Sequence, residues 1–220
     1  MEVFVDDSME VKVAIPRYVS EKDMRLFIHE KATWIAKQLK EAKKTNDFLL
    51  SKQYKDGDLF LFLGKKYPLR VQELDIRRPR IAFDGEKWVL KIPPQLAEEK
   101  KKLMAKQSLI KWYQHQAKEI LGSRIFHFER QMGLETHAIA VRGQKSVWGT
   151  CGHQDKKISL NWQIILAPME VVDYLAVHEL AHLKTPNHSK RFWKHVEKIL
   201  PDYKVRKKWL TKNRLEMILP

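Results

Sequence analysis

The stretch "YLAVHELAHLKTPNHSKRFW", residues 174–193, decides how this chain is read. With Met169, Val171 and Val172 before it, Tyr174, Leu175, Ala176, Val177, Leu180, Ala181 and Leu183 make a helix that is apolar nearly all round. Such a helix is buried. The glutamate and three histidines in this stretch therefore need partners, because burying a polar group without one is costly. His178-Glu179-Leu180-Ala181-His182 has the spacing H-E-x-x-H. Residues four apart share one helix face, so both imidazoles can meet one metal ion. Glu179, one step round, can reach a water on that ion as a general base.

Pro186 stops the helix within one further turn, since the residue before a proline avoids helical geometry. In the next helix Phe192, Val196 and Ile199 form the apolar stripe, and His188 falls at its edge at about 100° per residue. Glu197 is turned about 180° from His188. His195 shares the side of His188 but lies roughly 10 Å further along the axis. His188, closest to the turn, is chosen as the third ligand; Glu197 is next, and His195 is read as a surface residue or one that supports the ligands from behind. Catalytic zinc typically keeps three protein ligands and a water. Other divalent transition metals, Ni, Co or Mn, suit the same ligand types. The chemistry expected is metal-assisted hydrolysis at a polarisable C=O or P=O, and the motif does not say which.

The chain has 220 residues, 44% of them hydrophobic, enough for one large domain or two small ones. No run approaches the 18 or so apolar residues of a membrane span, so no membrane partner is expected. The acidic start "MEVFVDDSMEVKV" lacks the features of a signal peptide. One cysteine, Cys151, leaves no internal disulfide framework, and a reducing cytoplasm fits. Forty-two Lys and Arg against 27 Asp and Glu give +15, which admits nucleic acid or nucleotides as partners. The basic residues are spread along the chain, so a solvated surface explains them equally well. No sequence feature specifies an oligomeric state.

Residues 9–15, "MEVKVAI", alternate like a half-buried strand. Ser20 then caps a helix of about 25 residues. "GDLFLFLGKKYPLRVQEL" reads as a hairpin turning at Gly64-Lys65, and "RIAFDGEKWVLKIP" as another turning at Asp84-Gly85. Pro93-Pro94 closes this β-rich half, giving a divide at about residue 95. A long helix follows from Ala97 to Met132, with Leu103, Leu109, Ile110, Tyr113, Ala117, Ile120 and Leu121 as its apolar residues and Gly133 as its stop. Short strands "HAIAVR", "SVWGTC" and "KISLNW" precede the histidine-bearing helix, which has Pro168 in its first turn. A further helix runs from about Ser189 to Leu200.

The stretch from Ser146 to Leu210 resembles the YgjP-like metallopeptidase family, relatives of the SprT-like and other zincin-type proteins. That family's pattern is R-W-G-S-C, then I-x-L-N-W, H-E-L-x-H-L, N-H-S-x-x-F-W and a closing P-D-Y. The "LGKKYPLRV" hairpin and the "IKWYQHQAKEIL" helix also fit. The resemblance implies an α+β fold: a β-rich N-terminal subdomain with one helix over 1–95, then a zincin-like hydrolase domain over 96–220. There the HExxH helix lies beside a small antiparallel sheet. It implies zinc held by His178, His182 and His188, with Glu179 catalytic. Some family members are linked to hydrolysis of UTP to the monophosphate and pyrophosphate, and a nucleic-acid-associated protease of SprT-like type is a further alternative. Two positions depart from the pattern: Val147 stands for the arginine and Thr150 for the serine. Arg142 or Lys145 is a candidate replacement for that arginine. Trp148, Gly149 and Cys151 are read as packed core around a tight strand crossing, a lone Cys being most often a small hydrophobe. Should the substrate be a triphosphate, Arg77, Arg78, Arg80, Lys190, Arg191, Lys207 and Lys208 are candidate phosphate contacts.

Overall fold

A computed structural model describes the chain apart from residues 6–9, 17, 145, 146 and 220, and apart from the side chains of residues 5, 41, 45, 46 and 48–51. Met9 of the expected first strand, and Lys145 and Ser146, thus lie outside the described residues. The chain is α+β and divides into two compact units, Met1–Lys52 and Gln53–Pro220.

In the first unit, β1 (Glu2–Val5) pairs antiparallel with β2 (Val11–Ala14). The helix expected after Ser20 forms, and Ser20 Oγ accepts from the Asp23 amide as an N-cap should. It is interrupted at Lys31, giving α1 (Glu21–Glu30) and α2 (Ala32–Ser51). No residue of α1 is buried.

The second unit opens with a four-stranded sheet ordered β3 (Leu59–Phe62), β4 (Lys65–Glu73), β6 (Trp88–Ile92), β5 (Arg80–Phe83). Its aromatic face packs on α3 (Glu98–Met132). Trp88 is fully buried, and Trp112 and Tyr113 of α3 sit 5.6 and 5.5 Å from it, centroid to centroid. The Tyr113 hydroxyl donates to the Leu61 carbonyl at 2.6 Å. The sheet and α3 therefore share one core, and the divide by contacts falls at Lys52–Gln53 rather than near residue 95. Along α3 the buried positions are Ala105, Leu109, Tyr113, Ala117, Leu121, Ile125, Phe128 and Met132. Leu103, expected in this stripe, is 52% exposed. Gly133 ends the helix in the left-handed conformation, φ 61°, as its position predicted.

A second sheet is ordered β7 (Ala138–Arg142), β9 (Lys157–Asn161), β8 (Gly149–Gly152). It was expected to be antiparallel, but β7 runs parallel to β9 and only β8 is antiparallel. Asn161 holds the crossing that makes this possible. Its amide nitrogen Nδ2 donates to the Gln144 carbonyl at 2.7 Å, and its backbone N–H donates to the Trp148 carbonyl at 2.7 Å. The chain is thereby pinned across the end of β9 on its way from one edge of the sheet to the other. A 3-10 turn over Trp162–Leu166 then leads into α4 (Met169–His182), α5 (Lys190–Ile199), α6 (Tyr203–Lys212) and a last 3-10 turn. Pro168 is the N-cap of α4 rather than a residue of its first turn.

One contact fixes where α4 begins. The first hairpin turns one residue earlier than expected, at Leu63-Gly64, because Phe62 pairs with Lys65. Both turn residues have positive φ, 48° and 79°, as a two-residue hairpin turn of the primed type requires. A leucine at positive φ is strained. Docking offsets this: the amides of Leu63 and Gly64 donate to the carbonyls of Ile165 and Leu166, at 2.8 and 3.1 Å. A Cβ on Gly64 would lie 2.7 Å from Pro168 Cγ and 3.0 Å from its backbone. Gly57 also has positive φ, but a Cβ there meets nothing within 4 Å. We therefore expect Gly64→Ala to lose more stability than Gly57→Ala by on the order of 1–3 kcal/mol, read from urea unfolding midpoints. Equal losses in the two variants would show that the hairpin tip does not bear on α4.

Candidate metal centre

Helix α4 is buried on nearly every side, with Val171, Val172, Tyr174, Leu175, Ala176, Val177, Leu180 and Ala181 all in the core. Its orientation is fixed partly by a two-pronged ion pair: Arg124 of α3 donates to both carboxylate oxygens of Asp173, at 2.5 and 3.0 Å. His178 and His182 emerge together at the C-terminal end. Thr185 and Pro186 turn the chain back, and His188 returns to face them just before Ser189, the N-cap of α5.

The ligand atoms of His178, His182 and His188 all lie within 4.8 Å of one another. The Nε2 atoms of His178 and His188 are 3.1 Å apart. Imidazole nitrogens bound tetrahedrally to zinc at about 2.0–2.1 Å stand roughly 3.3 Å from each other, so the spacing suits a shared ion. The protonation states suit it as well. His182 Nδ1 is 3.3 Å from the Thr185 carbonyl, which can only accept, so Nδ1 carries the proton and Nε2 is left with a free lone pair. Burial, with His182, His188 and Lys207 nearby, holds His178 down to about pKa 3. Burial and then His188 lower His182. Neutral imidazole is the form that binds metals.

Glu179 is 3% exposed, and burial pushes its pKa up to about 8. Its carboxyl lies against the backbone of β8: a Cβ on Gly149 would stand 2.5 Å from Glu179 Oε1 and 2.7 Å from Cδ. Gly149 is thus the residue that leaves room for the glutamate, a role the reading of Trp148-Gly149 as a tight strand crossing missed. The available signal was the glycine itself, which inside a strand marks a close approach. Cys151, two residues on, is pushed up to about 12, first by burial and then by the charges of Glu179 and Asp155, so it remains a thiol. Among the described residues, Glu197 and His195 stand outside the histidine group, and Glu197 is exposed on α5.

Aromatic rings back the site. His188 stacks on Trp193 at 5.7 Å and 22°, and Trp193 stacks on Tyr203 at 5.2 Å and 14°. Lys207 of α6 sits 4.4 Å over the Trp193 ring. His153, in the β8–β9 turn, donates from Nδ1 to the His182 carbonyl at 3.0 Å.

The YgjP-like metallopeptidase domain model matches residues 1–213, nearly the whole length. The chain belongs to the YgjP-like metallopeptidase family. No curated protein matches it. Among solved structures, the metallopeptidase zymogen of Pyrococcus abyssi abylysin is similar at 27% identity and TM-score 0.39, over 43% of this chain and 95% of that one. The metallopeptidase zymogen of Methanocaldococcus jannaschii jannalysin is similar at 16% identity and TM-score 0.39, over 42% and 95%. Both likenesses are partial, and the assignment rests on the match over residues 1–213. The expected metal-dependent hydrolase of metallopeptidase type agrees with that membership.

The buried glutamate of this YgjP-like chain gives a pH signature in the metal-free protein. Between its ordinary pKa of 4.5 and about 8, the folded form keeps a proton that the unfolded chain has lost, so stability falls as pH rises through this window. Glu179→Gln removes the effect. With a chelator present, the variant should melt higher than wild type at about pH 8.5 and no higher at about pH 4.5. A difference in melting temperature that is the same at both pH values would contradict the burial of this carboxyl.

Proposed function

We propose that this protein is a zinc-dependent peptide hydrolase in which His178, His182 and His188 hold the metal and Glu179 is the general base. The observation that carries this reading is the carboxyl of Glu179, buried near three converging imidazoles and against the edge strand β8. Bound there, the ion would polarise the scissile carbonyl and bring the pKa of a water from about 15.7 toward about 7. Nickel, cobalt or manganese would suit the same imidazoles. Glu179 takes a proton from the attacking water and delivers it to the leaving amine, so the amide C–N bond is replaced by an acid and an amine. The Thr185 carbonyl keeps His182 in the tautomer whose Nε2 is free.

Strand β8 supplies the substrate cradle in this reading. It is an edge strand, paired only to β9 among the described residues. An extended peptide adding to its outer edge would find backbone donors and acceptors in register, with the scissile bond beside Glu179. A second reading, hydrolysis of a nucleoside triphosphate such as UTP in the same site, has Lys207 in its favour. This ammonium lies near enough to His178 to depress its pKa. A nucleic-acid-associated protease of SprT-like type is supported by the net charge alone. No described helix is long and apolar enough to cross a membrane. The cytoplasm is the compartment we propose, on the single Cys151 thiol.

Two variants test the site. Glu179→Gln should keep bound metal, measured by mass spectrometry after dialysis, and lose peptide hydrolysis by roughly 10²–10⁴-fold. His188→Ala should lose the metal itself. Pyrophosphate release from the four ribonucleoside triphosphates, run in parallel, distinguishes the two substrates. Unchanged hydrolysis by Glu179→Gln would sink both readings.

A further inference from the structure

At the β7 edge of the second sheet, away from the histidines, a cavity of about 310 Å³ opens between α3 and the end of β7. Lys111, Gln114, His115 and Lys118 line it from α3, at positions i, i+3, i+4 and i+7 on one helix face. Val141, Arg142 and Gly143 line it from the other side, and Trp162 completes the lining. The histidine site lies toward β8, whose Gly149 faces Glu179, and β9 separates that strand from β7. The cavity is therefore a separate place on the molecule.

Its chemistry is one-sided. No carboxylate lines it, and Lys111, Lys118 and Arg142 have no ion-pair partner among the described residues. Some basic side chains elsewhere in this unit do find acids, as Arg70 does with Asp56, Lys101 with Glu73 and Arg206 with Asp202. Lysine and arginine offer only donors, and the indole N–H of Trp162 adds another with no acceptor among the described residues. Gly143 contributes by being small, since a Cβ there would lie 3.3 Å from Trp162 Nε1. The lining calls for a ligand rich in acceptors and negative charge. Phosphate meets that description, and a planar guanidinium binds it through two parallel hydrogen bonds. The volume is near the lower end of small-molecule sites, enough for a phosphate and a modest substituent.

We propose that this cavity binds a small phosphate-bearing molecule, with Lys111, Lys118 and Arg142 carrying the charge recognition and Trp162 adding a hydrogen bond. Arg142, a candidate replacement for the arginine missing at Val147, then serves this second site instead of the hydrolytic one. The proposal is independent of what the histidine site cleaves.

Calorimetric titration with inorganic phosphate and with ribose 5-phosphate tests it on the full chain, with a short single-stranded DNA as a further arm. Saturable one-to-one binding of at least one small phosphate is expected. Arg142→Ala and Lys118→Ala should each weaken it about tenfold or more, the loss of a charged hydrogen bond. His182→Ala should leave it unchanged. Both cationic side chains are exposed, so these variants should melt as wild type does. The proposal is overturned if neither small phosphate binds saturably, if the double variant binds as tightly as wild type, or if only the DNA binds.

Discussion

The carboxyl of Glu179, pressed against a strand with no side chain at Gly149, is the contact on which the functional half depends. A carboxyl that is 3% exposed in an apolar helix is a liability to folding, and its raised pKa measures that liability. The rest of the arrangement makes sense as what holds it in place. Strand β8 approaches closely because Gly149 lets it. Helix α4 cannot shift away, since the hairpin tip at Gly64 abuts Pro168 at one end and Arg124 grips Asp173 along its length. Groups held at such a cost tend to be working groups, and these lie where histidines converge.

The sequence showed the parts of this site that local spacing controls. The i, i+4 histidines, the stop at Pro186, the cap at Ser20 and the stop at Gly133 all follow from interactions within a few residues, and the structure has them. It did not show what depends on distant partners. The hairpin turn slipped by one residue because Leu63 accepts a strained φ in return for a hydrogen bond to Ile165, a residue about a hundred positions away. The parallel pairing of β7 with β9 depends on Asn161 reaching back to Gln144. Leu103 fits the helical period but sits near the start of α3, before the buried positions begin at Ala105.

The third histidine reaches the other two by a route that helical spacing does not describe. Helical spacing places His188 on the following helix. In the structure it lies before the N-cap Ser189, so that spacing does not apply to it. What brings it to His178 is the tight return after Pro186, together with the flat stack of His188 on Trp193 and Trp193 on Tyr203. A loop residue has many orientations available, and ordering one costs entropy. Stacking on Trp193, itself stacked on Tyr203 of α6, restricts His188 to a narrow range, which is how a loop residue gains the precision of one on a helix.

The surplus of positive charge also looks different once positions are known. Spread along the sequence, 42 basic residues suggest only solubility or a diffuse attraction for polyanions. In the fold some are spent locally on carboxylates, as with Arg70, Lys101, Arg124 and Arg206. The remainder that matters is small and concentrated. Lys207 stands over Trp193 at the edge of the histidine site, and Lys111, Lys118 and Arg142 surround a cavity with no acid in it. Coulomb energy falls with distance and with solvent screening, so a few unpaired cations around one concave space outweigh a larger number scattered over an open surface. Net charge alone therefore says little about where an anion would settle, and the distribution of unpaired charge says more.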